Sequence, residues 1–138
     1  RDSSFATSSL VELGYSNIAK GFRRFMERSA AGSAEQLQVL FGVGGERRLY
    51  ELDLKNLEGY RCAKPVRLGN AAFEQVQLDA YGDIVSLAWL RHRQGEKVGQ
   101  EYWEFLVDVV NHVVKIWSNP DYGIWEIRGT PRHTRGVR

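Results

Sequence analysis

The chain has 138 residues, 43% of them hydrophobic and 12% aromatic, which is enough for one folded domain and excludes a disordered tail. Nineteen Lys and Arg against seventeen Asp and Glu leave a formal charge of +2, and this small excess does not indicate nucleic-acid binding. No window approaches the roughly 18 uninterrupted apolar residues of a membrane span, so we expect a soluble, cytoplasmic protein with no membrane partner.

Two helices are predicted at the start of the chain. Apolar residues recur at helical spacing over 5–13, and Gly14 is a typical helix stop. Ser16 is the predicted N-cap of a second helix. The buried face of this second helix is expected to comprise Ile18, Phe22, Phe25 and Met26.

A short β-hairpin is predicted next, because the apolar segments 39–43 and 48–52 flank Gly44-Gly45. Residues 59–69 have no periodicity and are expected to form an irregular loop. This loop contains Cys62, the only cysteine, which we interpret as a small, partly buried side chain. A single cysteine excludes an intrachain disulfide and a cysteine-based zinc site.

Two long helices are predicted in the second half. Asn70 can cap a helix from 71 to about 91 that ends at Gln94-Gly95, and a further helix covers 102–117 before Asn119-Pro120. The predicted fold is therefore mainly α, built of helical hairpins with one short β-hairpin and long loops. The three histidines show no ligand spacing with one another or with Cys62, so we predict no metal site.

Glu126 is the carboxylate that calls for an explanation, because it lies between Trp125 and two isoleucines. A carboxyl group desolvated by such neighbours keeps its proton longer, as a general acid requires near neutral pH. A structural ion pair with Arg128 is the alternative, since an adjacent cation has the opposite effect. The residues alone leave both interpretations open.

Polar groups beside aromatic residues at helix ends are typical of sugar sites, in which rings pack on sugar faces and a few polar groups bind hydroxyls. Asn or Gln beside a helix start is also commonly a cap or a satisfied core amide. Three sequence segments, here called motif runs, are more specific indicators of function: Arg1-Asp2, residues 65–82 and residues 120–129. Gly59-Tyr60 lies between the first two.

In this order the runs resemble glycoside hydrolase family 15, the glucoamylase-like and trehalase-like inverting hydrolases, over nearly the whole chain. The resemblance implies that residues 1–138 are a partial catalytic domain, the early hairpins of an (α/α)6 six-hairpin toroid. It also implies that Glu126 is the general acid, that Arg1 and Asp2 bind the nonreducing-end glucose, and that Trp125 flanks the acid. The other substrate-binding positions that it implies are Arg67, Asn70, Gln77, Tyr81 and Arg128.

One part of the family pattern has no match. Inverting hydrolysis needs two carboxyl groups about 6.5–9.5 Å apart, and by the resemblance the general base lies far downstream. Neither Asp2, Asp79 nor Asp121 matches it, and residues 134–138 also depart from the family pattern.

The resemblance thus implies an O-glycosyl hydrolase of α-glucosides, acting on maltooligosaccharide, dextrin or trehalose by inverting acid/base chemistry, here without its base. This chemistry requires no cofactor. We expect the isolated fragment to be inactive. We also expect it to be marginally stable or to self-associate, because apolar faces that the missing hairpins would cover are exposed. The alternatives are a sugar-binding pseudoenzyme and a helical interaction module without catalysis.

Overall fold

The computed structural model describes residues 1–133, which are mainly helical, as predicted. The helices of this part of the chain are α1 (Asp2–Glu12), α2 (Ser16–Ser29), α3 (Leu78–Arg93) and α4 (Gln100–Ile116). Two short strands, β1 (Leu52–Asp53) and β2 (Arg67–Leu68), pair in an antiparallel sheet. Short 3-10 helices occur at Ala34–Gln36, Tyr60–Cys62 and Ala71–Glu74. Residues 134–138, whose sequence departs from the family pattern, lie outside the described residues.

Helices α1 and α2 form a hairpin, and α1 also packs against α3. Helix α1 begins earlier than predicted, because the backbone carbonyl of Arg1 accepts the first helical hydrogen bonds. It ends as predicted before Gly14, whose φ of +93° suits glycine. Ser16 is not an N-cap, because it is already the first residue of α2 and Tyr15 occupies the cap position. The predicted buried face of α2 is only partly covered, since Ile18 is 46% exposed.

The predicted β-hairpin at 39–52 is wrong. A turn does form there, with Gly42 donating to the Glu46 carbonyl at 2.8 Å, but no ladder follows it in the described chain. The sheet instead pairs Leu52, at the end of the predicted hairpin, with Leu68, inside the segment predicted to be an irregular loop. Strands of two residues are too short to show any periodicity, so the hydrophobic pattern could not reveal them. Cys62 in the same loop is exposed, not partly buried.

The third predicted helix is interrupted near its start. The Asn70 side chain accepts a hydrogen bond from Ala72 N at 2.9 Å, so it is a cap, but it caps the 3-10 helix Ala71–Glu74. Gln75 and Gln77 have extended backbones, and α3 starts only at Leu78. Helix α3 then ends before Gly95 (φ +88°), and α4 closely matches its prediction. The extended break places the Gln77 side chain at the N-terminus of α3.

Helices α3 and α4 pack against each other and provide most of the core. The core residues are Ala30, Ala34, Leu37, Tyr81, Ile84, Ala88, Tyr102, Phe105, Leu106 and Val109. Another face of α4 carries an exposed apolar stripe at helical spacing, Trp103, Val107, Val110 and Val114, which Trp117 continues just after the helix. Among residues 1–133, no helix is long and apolar enough to cross a membrane.

Candidate active site

The loop formed by residues 120–132 is fixed to the N-terminus of α3. Asp121 is 4% exposed, and its Oδ2 accepts a hydrogen bond from Leu78 N at 3.2 Å, at the first residue of α3. The backbones of Asp121 and Arg132 exchange two hydrogen bonds of 2.9 and 2.8 Å, and Tyr122 N donates to the Val76 carbonyl at 3.1 Å. These bonds close the base of the loop and hold its tip, with Glu126, beside α3.

Glu126 has a φ of +50°, a left-handed conformation that few residues other than glycine adopt. Such conformations persist only where the surrounding structure imposes them, and they concentrate at functional sites. Its neighbours along the chain are largely exposed, Trp125 at 83%, Ile124 at 46% and Ile127 at 36%, whereas Glu126 itself is partly buried. Desolvation of the Glu126 carboxyl group by these side chains stays a prediction.

Arg1 connects the start of α1 with this loop. Its Nε donates to Asp2 Oδ1 at 3.0 Å, its Nη1 donates to the Ile124 carbonyl, and Nη1 lies 3.9 Å from Asp79 Oδ2. The hydrogen bond to Asp2 is the main cause that raises the pKa of Arg1, and the Asp79 and Glu126 carboxylates add to this effect. One guanidinium thus faces three carboxylates, one of them the predicted acid.

A pocket of about 360 Å³ lies between α1, α2, α3, residues 37–41 and the loop. Its polar lining includes Arg1, Asp2, Asn70, Gln77 and Glu126 besides Ser3, Ser4 and Gln38, and its larger apolar side chains include Phe22, Phe25, Met26 and Phe41. The volume falls within the roughly 300–1,000 Å³ typical of small-molecule sites, and the mixed lining has the character of such sites. These five predicted site residues, distant in sequence, therefore share one cavity.

Two glutamines connect the pocket wall with the loop. Gln77 is 2% exposed, and its Nε2 donates to Gln75 Oε1 at 3.2 Å. Gln75 Nε2 in turn donates to the carbonyl of Ile127 at 3.3 Å, next to Glu126. Gln77 is thus a hydrogen-bonded buried amide, and it also lines the pocket. Its position therefore fits both the interpretation as a satisfied core amide and the interpretation as a sugar-site residue. Gln75 was not predicted as a site residue.

Arg128 is held by Glu51 and not by Glu126. Its Nη1 and Nη2 lie 2.7 and 2.9 Å from the two Glu51 carboxylate oxygens. Arg67 Nε lies 3.1 Å from both Glu51 and Asp53. The hydrogen bonds from Arg128 are the main reason that the pKa of Glu51 is lowered to about 2. Arg67 and Arg128 therefore form a cluster outside the pocket lining, and the alternative Glu126–Arg128 pair is not formed.

The two remaining predicted residues also lie outside the pocket lining. Tyr81 is 6% exposed, belongs to the core, and has its ring centroid 5.4 Å from that of His112. Burial raises the pKa of Tyr81. Trp125 is largely exposed beside Glu126. Sequence reasoning gave no site role to Asp79 or Glu51. Asp79 could have been found, because it lies in the motif run 65–82, whereas Glu51 lies outside all of the motif runs.

Asp83 is a second carboxylate on α3 close to Asp79. Burial is the main cause that raises its pKa; the Asp79 and Asp2 carboxylates raise it further, whereas Arg1 lowers it. Within residues 1–133, no three His, Cys, Asp or Glu side chains are grouped so that they could hold a metal ion.

Comparison with known proteins assigns the chain to a family. The family model described as glycosyl hydrolases family 15 matches residues 1–136. The chain is 43% identical to a trehalase of Mycobacterium tuberculosis over 136 residues and 41% identical to one of Mycolicibacterium smegmatis, covering 96% of this chain and 20% of each relative. A trehalase of Thermoplasma acidophilum is 30% identical, with 96% of this chain and 22% of the relative covered. The chain thus spans about a fifth of the length of these relatives. No solved structure matches it.

Proposed function

The chain belongs to glycosyl hydrolases family 15, and we propose that it supplies the general-acid side of a site that hydrolyses α-glucosides by inversion. The pocket in which Arg1, Asp2 and Glu126 meet is the observation that supports this function. The relatives are named trehalases, which favours trehalose over maltooligosaccharides or dextrins as the substrate. We also propose that residues 1–138 are a partial catalytic domain of an (α/α)6 toroid and that the protein is cytoplasmic.

In the proposed reaction, Glu126 donates its carboxyl proton to the oxygen that joins the two sugars. The bond between this oxygen and the anomeric carbon breaks, and its electron pair stays with the oxygen. A water molecule attacks the anomeric carbon from the opposite face and gives its proton to a second carboxylate, so the configuration inverts. Arg1 and Asp2 bind the glucose whose anomeric carbon reacts.

We place the second carboxylate outside these 138 residues. Among the described residues, the carboxylates that line the pocket are Asp2 and Glu126, and Asp2 is already bonded to Arg1. The isolated chain is therefore expected to bind trehalose without releasing glucose. Glucose release by the purified chain, lost in Glu126→Gln, would overturn the placement of the base and keep the assignment of the acid.

Binding can be tested on the isolated chain by titration calorimetry with trehalose. Arg1→Ala should weaken binding roughly tenfold or more, because a charged hydrogen-bond donor is worth about 1.5–3 kcal/mol. Arg24→Ala, which removes an exposed cation of α2, is the control and should bind as the parent does. Equal affinity of Arg1→Ala and the parent would contradict the proposed clamp.

Catalysis can be tested in a chimera in which this chain replaces the matching fifth of one of the mycobacterial relatives. We expect the chimera to release glucose from trehalose and Glu126→Gln to lower its rate about 10²–10⁴-fold, the usual contribution of a general acid. Glu58→Gln, in an exposed loop, is the matched control. A folded chimera that binds trehalose without turnover would favour the sugar-binding pseudoenzyme.

A further inference from the structure

One carboxylate, Glu51, binds two arginines from different segments. It accepts both Arg128 hydrogen bonds in a two-point pair, and Arg67 Nε lies 3.1 Å from Oε1 of the same carboxylate. Two-point guanidinium–carboxylate pairs are strong and fix the geometry of both partners. The Glu51 side chain is 15% exposed and that of Arg128 is 65% exposed. The largely buried carboxylate of Glu51 therefore fixes the position of the long, flexible Arg128 side chain.

Arg128 lies two residues from Glu126 along the chain, but its hydrogen bonds go to Glu51, and the carboxylates that raise its pKa are Glu51 and Asp53. A guanidinium beside a carboxyl group favours the ionised form of the carboxyl. A general acid must keep its proton until the glycosidic bond breaks. Pairing of Arg128 with Glu126 would therefore oppose the function proposed for Glu126.

We propose that Glu51 is a positioning residue that holds Arg128 away from Glu126. The catalytic benefit of this arrangement rests on the proposed function of Glu126. The hydrogen bonds between Arg128 and Glu51 do not depend on that function. The other charged groups that face Glu126 are Arg1 and, bound to Arg1, Asp2 and Asp79. The other charged groups that face Glu51 and its partners are Arg67 and Asp53.

The proposal can be tested by nuclear magnetic resonance on the 138-residue chain without substrate, following the carboxyl carbon of Glu126 during a pH titration. In Glu51→Gln, the released Arg128 should pair with Glu126 and lower its titration midpoint by about one pH unit relative to the parent. Adding Arg128→Gln to this variant should restore the parental midpoint. Asp53→Asn removes a neighbouring carboxylate that does not bond to Arg128, and it should leave the midpoint unchanged.

An unchanged midpoint in Glu51→Gln, or a shift that the double variant does not reverse, would overturn the proposal. Arg128→Gln alone provides a second test that does not depend on the folding of Glu51→Gln. Its midpoint should equal that of the parent, and a rise would show that Arg128 already acts on Glu126. Amide spectra of α3 and α4 report on the fold of each variant. A chain with the predicted shifts that binds no sugar would retain the role of Glu51 and refute the proposed function.

Discussion

Gly69 is a position at which one added methyl group should be strongly destabilising. It has a φ of +78°, and a Cβ atom there would lie 2.1 Å from the Tyr50 carbonyl oxygen and 2.7 Å from that of Leu49. Both contacts are with backbone, so a side-chain rotation cannot relieve them. Asn70 N also donates to the Leu49 carbonyl at 2.9 Å, which holds the two segments together.

The cost of Gly69→Ala has two parts. The left-handed conformation costs an alanine roughly 1–2 kcal/mol, and a forced backbone shift in a packed region costs about 1–3 kcal/mol. We therefore expect a loss of about 2–5 kcal/mol in the free energy of unfolding. Because Tyr50 precedes Glu51, the same shift should also disturb the bonds between Glu51 and Arg128.

Gly82→Ala is the matched control, and its effect should have the opposite sign. Gly82 lies within α3, is exposed, and has no atom within 4 Å of an added Cβ. Alanine is the better helix former by up to about 1 kcal/mol, so this variant should be more stable than the parent.

Urea unfolding followed by circular dichroism measures both variants, and the midpoints should move in opposite directions at unchanged slope. A loss below about 0.5 kcal/mol in Gly69→Ala, the range of ordinary surface substitutions, would refute the reasoning. So would a loss of stability in Gly82→Ala.

Three further predictions concern acid stability, the core and association. Because folding lowers the pKa of Glu51 from 4.5 to about 2, its stabilising contribution is complete above pH 4.5 and is lost as the pH falls through 2. The free energy of unfolding of Glu51→Gln should therefore fall less steeply with decreasing pH than that of the parent. Superimposable curves of this free energy against pH would contradict the prediction. Leu106→Ala (8% exposed) should cost about 2–5 kcal/mol in urea unfolding. Trp103→Ala (55% exposed) should cost clearly less, and equal losses would show that the core is misassigned. The isolated chain should self-associate through the apolar stripe of α4, and Val110→Lys with Val114→Lys should lower its mass by sedimentation; an unchanged mass would exclude this surface.

Local signals in the sequence were sufficient for most of the helices. Gly14 and Gly95 end α1 and α3 because a left-handed residue after the last turn is a local property that glycine supplies. The apolar spacing within α4 identified the helix, since the pattern repeats over several turns. The small sheet gave no such signal, because two-residue strands acquire their partner only when the loop closes.

For the site, the sequence by itself predicted Arg1, Asp2 and Glu126 from the motif runs, and all three line one pocket. The tertiary structure alone decided how these groups are paired. Arg128 is two residues from Glu126 along the chain, yet it bonds to Glu51, 77 positions away. Spacing along a sequence limits which side chains can meet, but charged partners are chosen among all the groups that folding brings within a few ångströms.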